Sequence, residues 1–217
     1  MTLADSVRLG RLSAERGIYP AGQSLRDELG PEQWSALVPV LERFGYPPEL
    51  ASRQRPWMLQ MSLAGAAFLA HGYQQSAGID LHFLELARRK QLPIRQLETA
   101  DAQLDLLTGF PAAVQRQMLE HTVRQLSQEE LVITDLATLW RQGDAAAIGE
   151  FAMQEFRQVP EAEAALIHER NAAMAKKLER WLAEDRSYFV VAGAAHMIGE
   201  SGLVEALRQA GYKVEQL

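Results

Sequence analysis

The sequence predicts a helix-dominated α/β fold in which a small, mostly parallel sheet is accompanied by a large helical insertion. Residues 188–192 form a continuous apolar run without alternation, which is typical of a strand buried on both faces of a parallel sheet. Residues 93–98 and 212–216 are two further short strand candidates. The stretch from about 101 to 185 has an almost wholly helical pattern, and it is expected to lie between strands.

The N-terminal part is expected to be helical. A ragged amphipathic pattern covers residues 2–16. Proline suits the first position of a helix, which predicts one helix over 31–44 and an Ala-, Leu- and Met-rich packing helix over 56–73. Residues 80–90 form the next predicted helix, with basic side chains near its end, where they stabilise the helix dipole.

The C-terminal stretch is predicted as a strand, a turn with a histidine, a helix and a last short strand. The apolar run breaks at Gly193, and His196 follows three residues later. Ligands of open α/β sheets bind at the carboxyl ends of the strands, so His196 is expected at that edge. Glu98 ends the candidate strand 93–98 and is expected at the same edge.

Two of these side chains have opposing interpretations. A neutral imidazole at His196 suits a metal ligand or a general base, whereas a structural histidine would only cap the next helix or complete the turn. Glu98 beside it could complete a hard-metal or water-activating site. Alternatively, Glu98 is a favourable negative charge before the helix that starts near Asp101.

Three more polar residues fall at helical positions. The planar guanidinium of Arg170 suits a carboxylate or phosphate, and Asn171 is a mediocre helix former in the middle of a predicted helix. The alternative is an ordinary salt bridge with a neighbouring surface amide. For Asp80, a helix cap is the favoured role.

Composition excludes several classes of function. The 217 residues have a net charge of −6 and no long run of like charges, which argues against binding nucleic acid. The chain contains no cysteine, which excludes disulfides, thiolate catalysis and Cys-ligated zinc. No apolar stretch reaches the length of a membrane span or a signal peptide, so the chain as written is expected to be soluble and to stay where it is made.

Several short motifs occur in a fixed order along the chain. They are Gly78-Ile79-Asp80, Leu97-Glu98-Thr99 with Gln103, Arg170-Asn171, Gly193-Ala194-Ala195-His196 with Met197-Ile198-Gly199, and Gly211-Tyr212-Lys213-Val214. Each motif is short, but the ordered set resembles the TraB/GumN family, which is related to the ChaN, erythromycin esterase and Tiki proteins. The resemblance covers roughly residues 20 to 217.

The resemblance implies a metal-dependent hydrolase or protease-like domain acting on a peptide or small-molecule substrate. It implies a divalent ion (Mn, Co or Zn) with His196 and Glu98 as ligands. It also implies a catalytic set of His196, Glu98, Arg170 and Asn171, in which Arg170 holds an anionic group. It gives turn or structural roles to the positions Gly78, Asp80, Gly193 and Gly199. Relatives of this kind are often exported or linked to membranes, so the compartment of the intact protein stays open.

One departure from the family pattern shapes the remaining expectations. The family has an earlier Gly-x-x-His turn after an N-terminal strand, and the residue three positions before each of the other histidines here is not glycine. We therefore expect a single domain over 1–217 that lacks its first strands and that is a metal-dependent hydrolase once that turn is supplied. The alternative is a catalytically inactive helical binding module. An unpaired strand at 188–192 would complete its sheet by forming a homo-oligomer.

Overall fold

The computed structural model describes residues 3–127 and 132–216. Helices account for most of this part of the chain. The α-helices are α1 Leu3–Gly17, α2 Leu25–Arg43, α3 Pro48–Arg53, α4 Pro56–Ala70, α5 Ile79–Arg89, α6 Ala100–Gly109, α7 Ala112–Ser127, α8 Val132–Gln142, α9 Ala145–Phe156, α10 Pro160–Glu163, α11 Arg170–Leu182, α12 Ala194–Met197 and α13 Leu203–Gln209. A 3₁₀-helix spans Gln75–Ala77, and a π-helix spans Ala164–Glu169.

The described residues contain no β-sheet, so the α/β prediction is wrong and the fold is all-α. Their one β-type pairing is an isolated antiparallel bridge between Ile18 and Gln54. The predicted strands 93–98, 187–192 and 212–216 lie outside any ladder of backbone hydrogen bonds. A strand exists only with a neighbour to accept and donate those bonds, and no segment of the described chain supplies one.

The apolar run at 188–192 was misleading because it packs against helices rather than between neighbouring strands. Val190 and Ala192 pack against a core formed by α11 and α13. On the other side of the alternation, Phe189 is 74% exposed, whereas Val191 is partly buried. An uninterrupted apolar run therefore does not mark a doubly buried strand here, and an extended segment packed on helices carries the same composition.

The chain divides into two compact units. The first consists of Met1–Gln74 and Thr99–Glu130, and the second consists of Gln75–Glu98 and Leu131–Leu217. The predicted single domain over 1–217 stays a prediction. None of the helices in the described ranges is both long and apolar enough to cross a membrane.

The first unit is built on α2, α4 and α7. The Ser24 hydroxyl caps α2 by accepting a hydrogen bond from the Asp27 amide at 3.2 Å. Gly30 has φ 77° and ψ 174°, which kinks α2 immediately before Pro31, the predicted helix start. The predicted helix start at Pro56 is confirmed. The core side chains of this unit are Tyr19, Leu25, Trp34, Leu37, Val40, Leu41, Ala51, Leu59, Leu63, Leu119 and Val123.

The second unit is organised around α11. Its buried side chains recur at i, i+3, i+4 and i+7, which places them on one face of the helix: Asn171, Met174, Ala175 and Leu178. Leu203 at the start of α13 completes this core, and Leu97 packs against its edge. The asparagine is the one polar member of the buried face, and it introduces the candidate site.

Candidate functional site

Four predicted side chains come together at the N-terminal end of α11. We call this group, which consists of Glu98, Arg170, Asn171 and His196, the α11 polar cluster. Arg170 and Asn171 are consecutive in the first turn of the helix, directly after the π-helix. Consecutive helical side chains point about 100° apart, so the two residues reach different partners. Arg170 reaches Glu98, and Asn171 reaches His196.

Arg170 and Glu98 form a two-point ion pair. Nε of Arg170 donates to Oε1 of Glu98 at 2.8 Å, and Nη2 donates to Oε2 at 2.7 Å. The guanidinium also donates through Nη1 to the carbonyl oxygen of Leu166 at 3.2 Å. Both side chains are about one-fifth exposed, at 21% and 19%. The pair is therefore shielded from much of the solvent, and both oxygens of the carboxylate face a cation.

A second contact fixes the same extended segment on α11. Nζ of Lys177 donates to the carbonyl oxygen of Leu97 at 2.5 Å. Lys177 lies seven residues, or about two turns, after Arg170, so both cations face the same side of the helix. Together they hold the backbone of Leu97 and the side chain of Glu98 along α11.

Asn171 connects His196 to a backbone turn. Its Nδ2 donates to the carbonyl oxygen of Ser201 at 2.7 Å, and its Oδ1 lies 2.7 Å from Nδ1 of His196. Asn171 is 2% exposed, whereas His196 is partly buried. Burying an amide costs free energy unless it is hydrogen-bonded. Both ends of the Asn171 amide have a partner, so the side chain holds the Ser201 carbonyl and the His196 ring in fixed positions.

Burial and charge keep the imidazole neutral. Burial lowers the pKa of His196 below its ordinary 6.5, and the positive charge of Arg170 lowers it further, while Glu98 opposes both effects. At neutral pH the ring therefore has a free lone pair on one nitrogen. Such a ring can accept a proton or bind a cation.

The residues present do not by themselves fit a divalent metal ion. The described part of the chain contains no group of three or more His, Asp or Glu side chains that could hold one. Zinc sites in proteins use three or four protein ligands, and His196 offers one nitrogen. Both oxygens of Glu98 already accept from Arg170, whose charge repels a cation. Metal ligation by His196 and Glu98 stays a prediction.

Comparison with known proteins decides the family. The sequence pattern of the TraB/PrgY/gumN family matches residues 4–216. The chain belongs to this family. Uncharacterized protein YbaP of Escherichia coli (strain K12) and its namesake from Shigella flexneri are each 27% identical over 193 residues, which cover 87% of this chain and 70% of theirs. Metalloprotease TIKI2 of Xenopus tropicalis is 42% identical over 52 residues, which are 23% of this chain and 10% of that protein. No solved structure matches.

The predicted turn positions of this family member lie at helix boundaries. Gly78 immediately precedes α5, and Asp80 lies in its first turn. The hydrogen bonds of the α11 polar cluster involve neither residue. Gly193 immediately precedes α12, which carries His196, and Gly199 follows it with φ 82°. Two of the four positions therefore flank the histidine, and the other two lie elsewhere in the second unit.

Three residues of the site were missed by sequence reasoning. Lys177 has a usable signal, because it is seven residues after Arg170 on one helix. The sequence gives no signal for the carbonyl of Ser201, since every residue has a backbone carbonyl. Gly202 has a structural reason: a Cβ at this position would lie 2.4 Å from the carbonyl oxygen of Ile198. A closely packed turn of this kind fixes the Ser201 carbonyl that Asn171 contacts.

Proposed function

We propose that this TraB/PrgY/gumN-family chain is a hydrolytic domain in which His196 acts as a general base. The observation that carries the proposal is the pairing of a partly buried, neutral imidazole with a fully buried Asn171. A general base must be unprotonated at the working pH and held in a fixed direction. The lowered pKa of His196 supports the first requirement, and the 2.7 Å contact with Asn171 supports the second.

The proposed reaction is cleavage of an amide or ester bond by water. His196 removes a proton from the attacking water, the oxygen bonds to the carbonyl carbon, and the proton is then passed to the leaving nitrogen or oxygen as the scissile bond breaks. The guanidinium of Arg170 donates three of its five N–H groups to Glu98 and Leu166, and its positive charge adds favourable potential for the developing oxyanion. TIKI2 is named a metalloprotease, which makes peptides the first substrates to test.

No step of this proposal passes through a metal ion, because the described residues do not supply a ligand set. Added Mn²⁺, Co²⁺ or Zn²⁺ is therefore a variable of the test rather than a requirement. Near-stoichiometric metal that is present in the parent protein and lost on His196→Ala would replace the general-base proposal with a metal site.

The experiment compares the full chain with two histidine variants. His196→Ala removes the base, and His82→Ala removes an exposed histidine of α5 as the matched control. Quenched-fluorescent peptide libraries and chromogenic esters are incubated with each protein, with and without added divalent ions, and bound metal is counted by mass spectrometry. We expect cleavage by the parent and the control and a loss of about 100-fold or more in His196→Ala. Equal cleavage by all three proteins, or none by the parent, would reject the proposal.

A different observation favours a second candidate, a binding module without catalysis. In the described part of the chain, no backbone hydrogen bond joins residues 187–192 to another segment. Phe189 in this segment is 74% exposed, with one ring contact to Phe83 at 4.7 Å. An extended backbone with unused donors and acceptors can pair with the same segment of a second copy of the chain.

Light scattering tests this candidate. Pairing predicts a dimer at micromolar concentration that Phe189→Ser shifts to the monomer, while Leu182→Ser, at another exposed apolar position, has no effect. A monomer at all concentrations would count against it.

A further inference from the structure

We propose that Asn171 is a positioning residue that holds His196 as the tautomer protonated at Nδ1, which leaves the lone pair on Nε2. The inference deepens the proposed function, on which it rests for the use made of that lone pair. It assigns the reacting atom of the site: water or substrate must approach Nε2, and Nδ1 is reserved for the protein.

The first step is the direction of the Asn171 amide. Its terminal group has one donor end and one acceptor end, and the two ends have different partners. The carbonyl oxygen of Ser201 only accepts hydrogen bonds, and it lies 2.7 Å from the amide. With the amide reversed, two oxygens would face each other at that distance, and neither of them can donate a hydrogen bond. The NH₂ group therefore faces Ser201, and Oδ1 faces His196.

The second step is the proton on the imidazole. Oδ1 of Asn171 is an acceptor, so the nitrogen 2.7 Å away, Nδ1 of His196, must be the donor. A neutral imidazole has one N–H group, so its other nitrogen, Nε2, has the lone pair. Free histidine in water favours the opposite tautomer, with the proton on Nε2. The protein therefore selects the tautomer that is less populated in water, which requires a hydrogen-bond partner that is rigid and shielded from solvent.

The third step is the rigidity of that partner. Asn171 is 2% exposed, so solvent does not compete for its amide. The Ser201 carbonyl belongs to a turn in which the Gly202 amide donates to the carbonyl oxygen of Gly199 at 3.0 Å. A Cβ on Gly202 would lie 2.4 Å from the Ile198 carbonyl oxygen, so the backbone of this turn is closely packed against itself. The turn thus fixes the amide, and the amide fixes the ring.

The test measures the tautomer directly, without substrate. The full chain is labelled with ¹⁵N, and long-range ¹H–¹⁵N spectra of the histidine rings are recorded at pH 8 for the parent, Asn171→Leu and Asn171→Asp. In the parent we expect the ¹⁵N shift of His196 Nε2 to be that of an unprotonated nitrogen. Asn171→Leu removes the acceptor, so the proton should move mainly to Nε2. Asn171→Asp keeps an acceptor for Nδ1–H and should retain the parent tautomer, with a raised pKa for His196 because of the added negative charge.

Each outcome decides the proposal. A protonated Nε2 in the parent spectrum overturns it without any variant. An unchanged tautomer in Asn171→Leu shows that another group holds the ring and also overturns it. The His82 signals serve as the internal control, because that exposed ring on α5 should not change between proteins. If Asn171→Leu does not fold, the parent spectrum together with the pKa of His196 in Asn171→Asp still decides the matter. Because no turnover is measured, failure here is distinct from failure of the hydrolase assay.

Discussion

The ion pair between Arg170 and Glu98 should behave as one coupled unit rather than as two independent side chains. The perturbation is a double-mutant cycle with Arg170→Met and Glu98→Met, each of which keeps much of the side chain's length and removes its charge. Either single change leaves the opposite charge in a place that is only about one-fifth exposed. The double change leaves two apolar side chains in contact and no unpaired charge.

The expected loss of unfolding free energy in each single variant follows from this intermediate burial. Exposed ion pairs contribute about 0–1 kcal/mol, and breaking a fully buried pair costs about 3–5 kcal/mol. The pair has two short hydrogen bonds, at 2.7 and 2.8 Å, and limited solvent contact, so we expect about 2 kcal/mol for each single variant. For a chain of this size that lowers Tm by about 4–8 °C. The double variant should unfold near the single variants rather than about 4 kcal/mol below the parent.

The assay is urea unfolding followed by circular dichroism, with the pKa of His196 measured by NMR in the same proteins. Arg170→Met should raise the pKa of His196, because it removes a repelling positive charge, and Glu98→Met should lower it. The control cycle uses the pair formed by Lys213 and Glu215, whose side chains are 85% and 63% exposed, and it should show no coupling. Additive effects at Arg170 and Glu98, or the same sign of pKa shift in both variants, would refute the reasoning.

Three further predictions concern the same unit. Gly202→Ala should lower stability by about 1–3 kcal/mol in urea unfolding, because its Cβ would lie 2.4 Å from the Ile198 carbonyl oxygen; an unchanged midpoint would contradict this. Hydrogen bonds from Arg95 lower the pKa of Glu184 from its ordinary 4.5 to about 2, so its stabilising contribution is present above pH 4.5 and is lost as the pH falls towards 2; NMR titration of Arg95→Gln should return this pKa towards 4.5. Because the pKa of His196 is lowered, the unfolded chain binds more protons near pH 6, and Tm should decrease as the pH falls below 6.5; His196→Gln should flatten that part of the curve.

Local signals predicted the helices well. Pro56 begins a helix, and the kink at Gly30 places Pro31 at the start of the helical segment that follows. Helix α6 ends at Gly109, and α8 ends one residue before Gly143. These features depend on a few neighbouring residues, through the restricted φ of proline and the freedom of glycine, so a single sequence contains the information.

The prediction of a sheet was wrong because strands, unlike helix ends, do not depend on neighbouring residues alone. A strand depends on a partner that is distant in sequence, and the apolar pattern of 188–192 does not encode whether one is available. Val190 and Ala192 satisfy the same pattern by packing on helices. The residues of the site, in contrast, were found from the order of family motifs along the chain. That order identifies the positions but does not show how they are arranged in three dimensions. The Ser201 carbonyl was beyond reach, because a backbone atom leaves no trace in a sequence.

The arrangement of charges in the α11 polar cluster also bears on the kind of chemistry it supports. Arg170 supplies the positive charge that neutralises Glu98, and a divalent cation ligated by that carboxylate would have to displace it. Metal binding and the ion pair are therefore alternatives, and the coupling energy of the pair measures what a metal must overcome. With Arg170 in place, the two-point ion pair compensates the charge of Glu98, and burial together with Arg170 keeps the pKa of His196 below its ordinary value. That combination suits a base that accepts a proton from water. A metal-centred reaction at the same residues would first require the ion pair between Arg170 and Glu98 to break, and its coupling energy opposes that step.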